Sequence, residues 1–220
     1  AAQYGHLDIV NEMLDKGANP DGPNTLNLNL GNTPLFIAVK IKNLEIVKAL
    51  LNKEADPNII NTSTGMNPLH FAVLKNDLEV VEALLDVEKT EIEKKTTIDM
   101  DWTEYFTEKV STLNVRVYTS LYIAVYLNYY DIANHLISKG AKVDDDILDI
   151  SNKIVNPPNY IHLNRLQKKS DNTFPSNVEN AENINKLLKS TLSSNTVEGL
   201  NIRKKTSQKG KKKKSVKRKK

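Results

Sequence analysis

The chain contains no cysteine, only eight glycines among its 220 residues, and no acidic residue in its last twenty. The first absence excludes disulfide staples and Cys-ligated zinc or iron–sulfur centres, and it fits a reducing compartment. No apolar run approaches the eighteen or so residues that a membrane-spanning helix requires. Catalytic signatures are missing as well. There is no P-loop, no G-x-G-x-x-G, no G-x-S-x-G and no H-E-x-x-H. Of the four histidines, His6, His70, His135 and His162, none heads a metal-ligand motif, and His135 has no acidic partner at ligand spacing. Asp144, Asp145 and Asp146 are consecutive, so at a helix start they fan around the axis and do not converge on an ion. No catalytic residue, metal or cofactor is expected.

Charge is present but unevenly placed. The net charge of +4 hides an acidic body and a basic end. Residues 201–220 carry twelve Lys and Arg, while residues 1–200 hold 19 basic and 27 acidic side chains. Such asymmetry is typical of an interaction tail.

The dominant feature is an internal repeat. The stretch Gly31-Asn32-Thr33-Pro34-Leu35-Phe36-Ile37-Ala38-Val39 is followed by Asn43-Leu44-Glu45-Ile46-Val47-Lys48-Ala49-Leu50-Leu51. The same unit returns as GMNPLHFAVLKNDLEVVEALL from Gly65 and as YTSLYIAVYLNYYDIANHLI from Tyr118. A half copy, AAQYGHLDIVNEMLDKGANP, opens the chain. Paired apolar residues fall at Met13-Leu14, Leu50-Leu51, Leu84-Leu85 and Leu136-Ile137, at intervals of 37, 34 and 52. A small residue keeps the same register at Ala1, Ala38, Ala72 and Ala124. Each unit predicts two short helices joined by a tight turn. Thr33 and Asn67 are expected as N-caps, with Pro34 and Pro68 in the first turn, where the missing N–H is no loss. Leu44, Ile46, Val47, Leu50 and Leu51 fall at helical spacing on one apolar face. One helix pair cannot bury that face alone, so neighbouring pairs must stack on it.

A period near 33 residues with T-P-L-H-x-A is the signature by which this chain resembles the ankyrin-repeat family. The match is carried by Thr33–Ala38, Asn67–Ala72 and Thr119–Ala124, and by the turns at Gly17-Ala18-Asn19-Pro20, Glu54-Ala55-Asp56-Pro57-Asn58 and Gly140-Ala141-Lys142-Val143. It covers roughly residues 1–144. The resemblance implies an all-α solenoid of stacked helix-turn-helix units with loop fingers. It also implies structural roles for His6 and His70. Only His70 follows Pro-Leu as in the family. Phe36 and Tyr122 replace that histidine in two repeats, and Ser120 replaces the proline.

The expected organisation is a stack over residues 1–156. Its repeats lie at about 1–20, 29–58, 62–87 and 115–144, with a half repeat at 145–156 and an insertion at 88–117. A linker with short helices (157–200) and a disordered basic tail (201–220) complete the chain. The chain opens inside a repeat, so it reads as a fragment of a longer protein with an uncapped apolar edge. Leu26, Leu28 and Leu30 sit in a long finger that is expected to pack on the stack. In the insertion, Glu88 to Lys95 is helix-prone. Asp101 caps a short helix with Trp102, Tyr105, Phe106 and Val110 on one face, which either contacts a partner or folds back on the stack. Asp144 to Asp146 cap Ile147 to Val155, and Tyr160 to Lys168 is a further short helix. Ile184, Leu187, Leu188 and Leu192 form an amphipathic helix, either packed or free.

The resemblance implies a protein-binding module that captures its partner on the concave side of the stack. Carried over repeat by repeat, the helix-end positions are Gln3 and Tyr4, Lys40 and Ile41, Leu74 and Lys75, and Tyr126 and Leu127. The finger positions are Asn32, Met66 and Tyr118. This set of apolar and basic groups suits a protein with an apolar ridge and scattered acids. The alternative burial of Ile41, Leu74 and Leu127 between repeats stays open. The tail, with Lys211, Lys212, Lys213, Lys214, Lys217 and Arg218, offers another function: binding of nucleic acid or another polyanion, or a nuclear address. It has no aromatic residue to stack on bases, so any such binding would be nonspecific and salt-sensitive. A monomer is expected, in the cytoplasm or nucleus, or delivered into a host cell if the source is an intracellular bacterium or a virus.

Overall fold

The computed structural model describes residues 1–22, 32–96, 118–155 and 179–193. The leucines at 26, 28 and 30, the helix expected from Asp101, the segment Tyr160 to Lys168 and the basic tail lie outside these residues. A single helical turn, Ala2–Tyr4, is followed by α1 (Leu7–Asp15), α2 (Pro34–Lys40), α3 (Leu44–Asn52), α4 (Pro68–Leu74), α5 (Leu78–Leu85), α6 (Ser120–Tyr126), α7 (Tyr130–Ser138) and α8 (Asp145–Val155). A ninth helix, α9, spans residues 179–193. Two rows result. The first helices of each unit touch in series, from the Ala2–Tyr4 turn through α2, α4 and α6 to α8, and the second helices α1, α3, α5 and α7 do likewise. One apolar cluster runs through both rows from Ala2 to Leu188.

The first helices are started by their caps. Thr33 Oγ1 accepts the Phe36 N–H at 3.1 Å, and Thr119 Oγ1 accepts that of Tyr122 at 3.2 Å. Asn67 and His70 form a reciprocal capping box. Helix ends explain how so few glycines suffice. The N–H of Ala18 returns to the Met13 carbonyl, that of Ala55 to Leu50 and that of Ala141 to Leu136, each at 3.0 Å. This closure needs a left-handed residue just before the alanine. Gly17 and Gly140 supply it at two sites, but Glu54 takes it at φ 65°. The first helices end the same way through Lys42, Asn76 and Asn128, at φ 58°, 51° and 60°. Glu54, Lys42 and the two asparagines thus sit where glycine would be unstrained, Asn being the better tolerated type.

Where the repeat is broken, the frame survives. Asn61 and Met66 form an antiparallel bridge, with the Asn61 N–H donating to the Met66 carbonyl at 2.8 Å. One repeat later, the Thr96 N–H donates to the Tyr118 carbonyl at 3.0 Å, and the Tyr118 N–H to Thr96 Oγ1 at 2.9 Å. Four residues separate the first pair and twenty-one the second. The extra length therefore hangs from the finger position, with its two ends held together, and α6 resumes the register. Glu88 to Lys95, helix-prone in sequence, does not form a helix; it runs as turns and irregular chain. Asn58 is the reason. Its side chain takes both the Lys89 carbonyl, at 2.7 Å, and the Glu91 N–H, at 2.8 Å, drawing this segment beside the preceding finger.

At the far end, Asp144 caps α8 by accepting the Ile147 N–H at 2.9 Å. Ile184 and Leu188 of α9 are buried in the common cluster, and Asn185 donates to Asn152 of α8 at 2.8 Å. The amphipathic helix expected near residue 188 is therefore packed, not free.

Candidate protein-binding surface

Equivalent helix-end positions line up because the helices that carry them stack in register. Gln3, Lys40, Leu74 and Tyr126 form one row, and Tyr4, Ile41, Lys75 and Leu127 the next. In both rows the first two positions are more exposed than the last two. Gln3, Tyr4, Lys40 and Ile41 are exposed, Lys75 and Tyr126 are half-buried, and Leu74 and Leu127 are buried. Tyr4 is 75 % and Ile41 40 % exposed, two of the few large apolar side chains in solvent among the described residues.

Two of the finger positions are not available to a partner. Met66 and Tyr118 are buried, Met66 completely. Both are closing residues of a finger, bonded through the backbone to Asn61 and Thr96, and both belong to the buried core. Leu74 and Leu127 are withdrawn in the same way. Asn32 is exposed, and its Oδ1 accepts from Asn61 Nδ2 at 2.7 Å, so it cross-links neighbouring fingers. The basic residues from Lys211 to Arg218 lie outside the described residues.

The surface includes one residue that motif reading passed over. Lys42 is exposed at the tip of the turn after α2, and its Nζ donates to the Lys75 carbonyl at 3.1 Å. It joins Lys40 and Lys75, whose Nζ lies 5.3 Å from the Phe71 ring centroid in a cation–π contact. The signal was available, because Lys42 occupies the place of Gly5 in the half repeat before it. Toward the C-terminal side, tyrosines replace lysines. Tyr118 and Tyr122 ring centroids are 5.0 Å apart, and Tyr122 and Tyr126 stack at 6.5 Å. Burial raises the pKa of Tyr122, Tyr126 and Tyr129, with the neighbouring Tyr118, Tyr126, Asp146 and Asp149 adding to the effect at Tyr122. These hydroxyls are neutral donors at any physiological pH.

His70 is a structural lock. Its Nδ1 accepts the Asn67 N–H at 3.3 Å, while Nε2 lies 2.8 Å from the Lys94 carbonyl. A carbonyl can only accept, so Nε2 carries the proton and the ring is neutral. Burial holds its pKa down at about 4, and the Lys94 charge acts in the same sense. His6 is exposed and stacks on Tyr4 at 6.2 Å. His135 Nδ1 stands 4.0 Å from Glu82. Among the described residues no group of three His, Asp or Glu side chains is placed to hold a metal ion.

A family model of ankyrin repeats matches residues 1–99, in three copies. No curated protein matches the chain.

Proposed function

We propose, from the premise that residues 1–99 are ankyrin repeats, that this chain captures a partner protein on the row of first-helix ends. Ankyrin repeats generally serve as protein–protein interaction modules, and as a rule they are not enzymes. The observation that carries the reading is the pairing of solvent-exposed Tyr4 and Ile41 with Gln3, Lys40 and Lys42 on adjacent units. Exposed apolar side chains flanked by cations suit a partner with an apolar ridge bordered by carboxylates. Lys75 and Tyr126 extend the surface with half-buried side chains. Among the described residues no helix is long and apolar enough to cross a membrane.

A second reading has its own observation: twelve cations without one acid in residues 201–220. Such a tail attracts nucleic acid or another polyanion with an affinity that collapses as salt rises. Affinity capture from lysate with residues 1–200 and 1–220, at low and high salt, separates the two. Retention of one discrete protein by both forms at high salt, lost on Tyr4→Ala with Lys40→Glu and Ile41→Ala, supports the repeat surface. Material held only by the longer form, and released by salt, assigns binding to the tail and overturns the first reading.

A further inference from the structure

The first-helix row changes character at α6. Where the earlier units carry Phe36 and His70, this unit carries Tyr122, and Tyr118 and Tyr126 stand four residues to either side of it. The three rings make one strip. The Tyr118 and Tyr122 centroids are 5.0 Å apart, and Tyr122 and Tyr126 lie nearly parallel, 8° apart in plane. Tyr118 and Tyr122 are buried and Tyr126 is half-buried, so Tyr126 is the ring that meets solvent most.

α8 packs beside α6, and its first turns carry Asp145, Asp146 and Asp149, all exposed. Asp146 and Asp149 stand near enough to Tyr122 for their charges to help keep its hydroxyl neutral. The result is an aromatic strip edged by carboxylates. A ring face and a carboxylate favour the same ligand, a Lys or Arg side chain. The earlier units present Lys40, Lys42 and Lys75 on this side, and those cations repel such a ligand.

Two observations name the occupant. Residues 201–220 of this chain hold twelve cations and no acid, against 19 basic and 27 acidic side chains in residues 1–200. That segment is also tethered close by. α9 is joined to α8 by the bond from Asn185 to Asn152. Residue 201 follows the last residue of α9 by eight positions, enough chain to span about 26 Å. Packed helix axes lie only about 10 Å apart, so the segment is held within reach of α6 across α8. Such a tether makes the contact intramolecular and raises the effective concentration to roughly the mM range.

We infer that residues 201–220 dock in cis on the face formed by Tyr118, Tyr122 and Tyr126 with Asp145, Asp146 and Asp149 of α8. Tyr126 belongs to the helix-end row, so docking masks that end of the row and leaves Lys40 and Ile41 open. A polyanion then competes with the chain's own carboxylates for the same cations.

The absence of cysteine makes the test direct. Ser215→Cys takes a single nitroxide label in the full 220-residue chain. The amide signals of Tyr126 and Asp149 should lose intensity beside the label, while those of Asp8 and Lys48 on the second-helix row keep theirs. The loss should vanish in about 1 M salt, where the Debye length is roughly 3 Å. It should also shrink on Asp145→Asn with Asp146→Asn and Asp149→Asn, and on Tyr126→Leu. The aspartates are exposed, and Leu74 already occupies the position equivalent to Tyr126, so both variants keep the fold; unchanged amide shifts in α2 and α4 check this. A loss that is absent, that spreads evenly over the stack or that survives either set of substitutions overturns the proposal. So does a loss seen in isotope-labelled chain without the cysteine when nitroxide-bearing chain is mixed in, because a second copy would then supply the segment.

Discussion

At the C-terminal end of the stack, Ile147 and Ile150 of α8 and Ile184 and Leu188 of α9 are all buried, whereas at the N-terminal end Ile9 and Met13 of α1 stand half in solvent. Both ends are built from amphipathic helices. The difference lies in the layer outside them. Beyond α8, one further helix turns its apolar side inward and leaves Lys186 and Lys189 outward. Beyond α1 no such layer is present among the described residues. In a stack whose units contact only their neighbours, burial of a residue is set by the unit next door as much as by its own side chain.

The sharpest way to probe this is to truncate equivalent positions on a covered helix, α7, and on the open one, α1. Leu136→Ala empties a fully buried site and should cost about 3 kcal/mol in urea unfolding, while Met13→Ala at the equivalent position should cost below about 1 kcal/mol. Equal losses would mean that the open end is already covered in solution.

Acid should act between the two ends. The His70 imidazole titrates near 6.5 when unfolded and at about 4 when folded. The unfolded chain therefore binds the extra proton between those values. Stability from this group is complete above about pH 6.5 and falls as the pH drops toward 4, by up to about 3 kcal/mol in total. Urea midpoints taken across that window check the slope. His70→Gln should flatten it, and if it does not, the acid sensitivity resides elsewhere.

Uncovering the closed end comes next in size. Leu188→Ala should destabilise by about 2 kcal/mol and raise amide exchange in α8 well before the central helices. Exchange that rises evenly across the stack would show that α9 is not a separable cover.

The smallest effects tune the two halves in turn. Glu54→Gly relieves a left-handed backbone near the open end and should stabilise by about 1 kcal/mol, since the Lys89 Nζ contact to residue 54 uses only its carbonyl. Ser120→Pro works in the other half. Ser120 Oγ is buried without a partner, and Thr119 at φ −81°, ψ 163° already has the backbone that a following proline requires. A gain of about 0.5 kcal/mol is expected there, read as a rise in thermal midpoint.

Much of the architecture was legible in the residues. The spacing of Leu50-Leu51 and Leu84-Leu85, the Thr-Pro and Asn-Pro starts, and the small residues at Ala38, Ala72 and Ala124 located the helix pairs, because each signal is local and carries its own physical cause. Exposure at the candidate positions was legible only in part. Lys40 and Ile41 are exposed, but Met66, Leu74, Tyr118 and Leu127 were assigned to the surface by equivalence with a repeat pattern and are buried. Periodicity says that two positions correspond; it does not say how tightly a neighbouring unit closes over them. Glu88 to Lys95 shows the same limit, since its helix propensity yields to two hydrogen bonds from Asn58, 31 and 33 residues away.

By itself, then, the sequence determined the unit: two capped helices, a turn and an apolar face that cannot be buried alone. It determined as well the charge division between body and tail. Only the tertiary structure decided which of those apolar faces are covered and that the extra residues after α5 depart and return at one finger. It alone decided that α9 packs on α8. The physical reason is range. Caps, turns and helical periodicity act within a few residues, whereas burial depends on contacts between segments tens of residues apart, whose geometry no local pattern encodes.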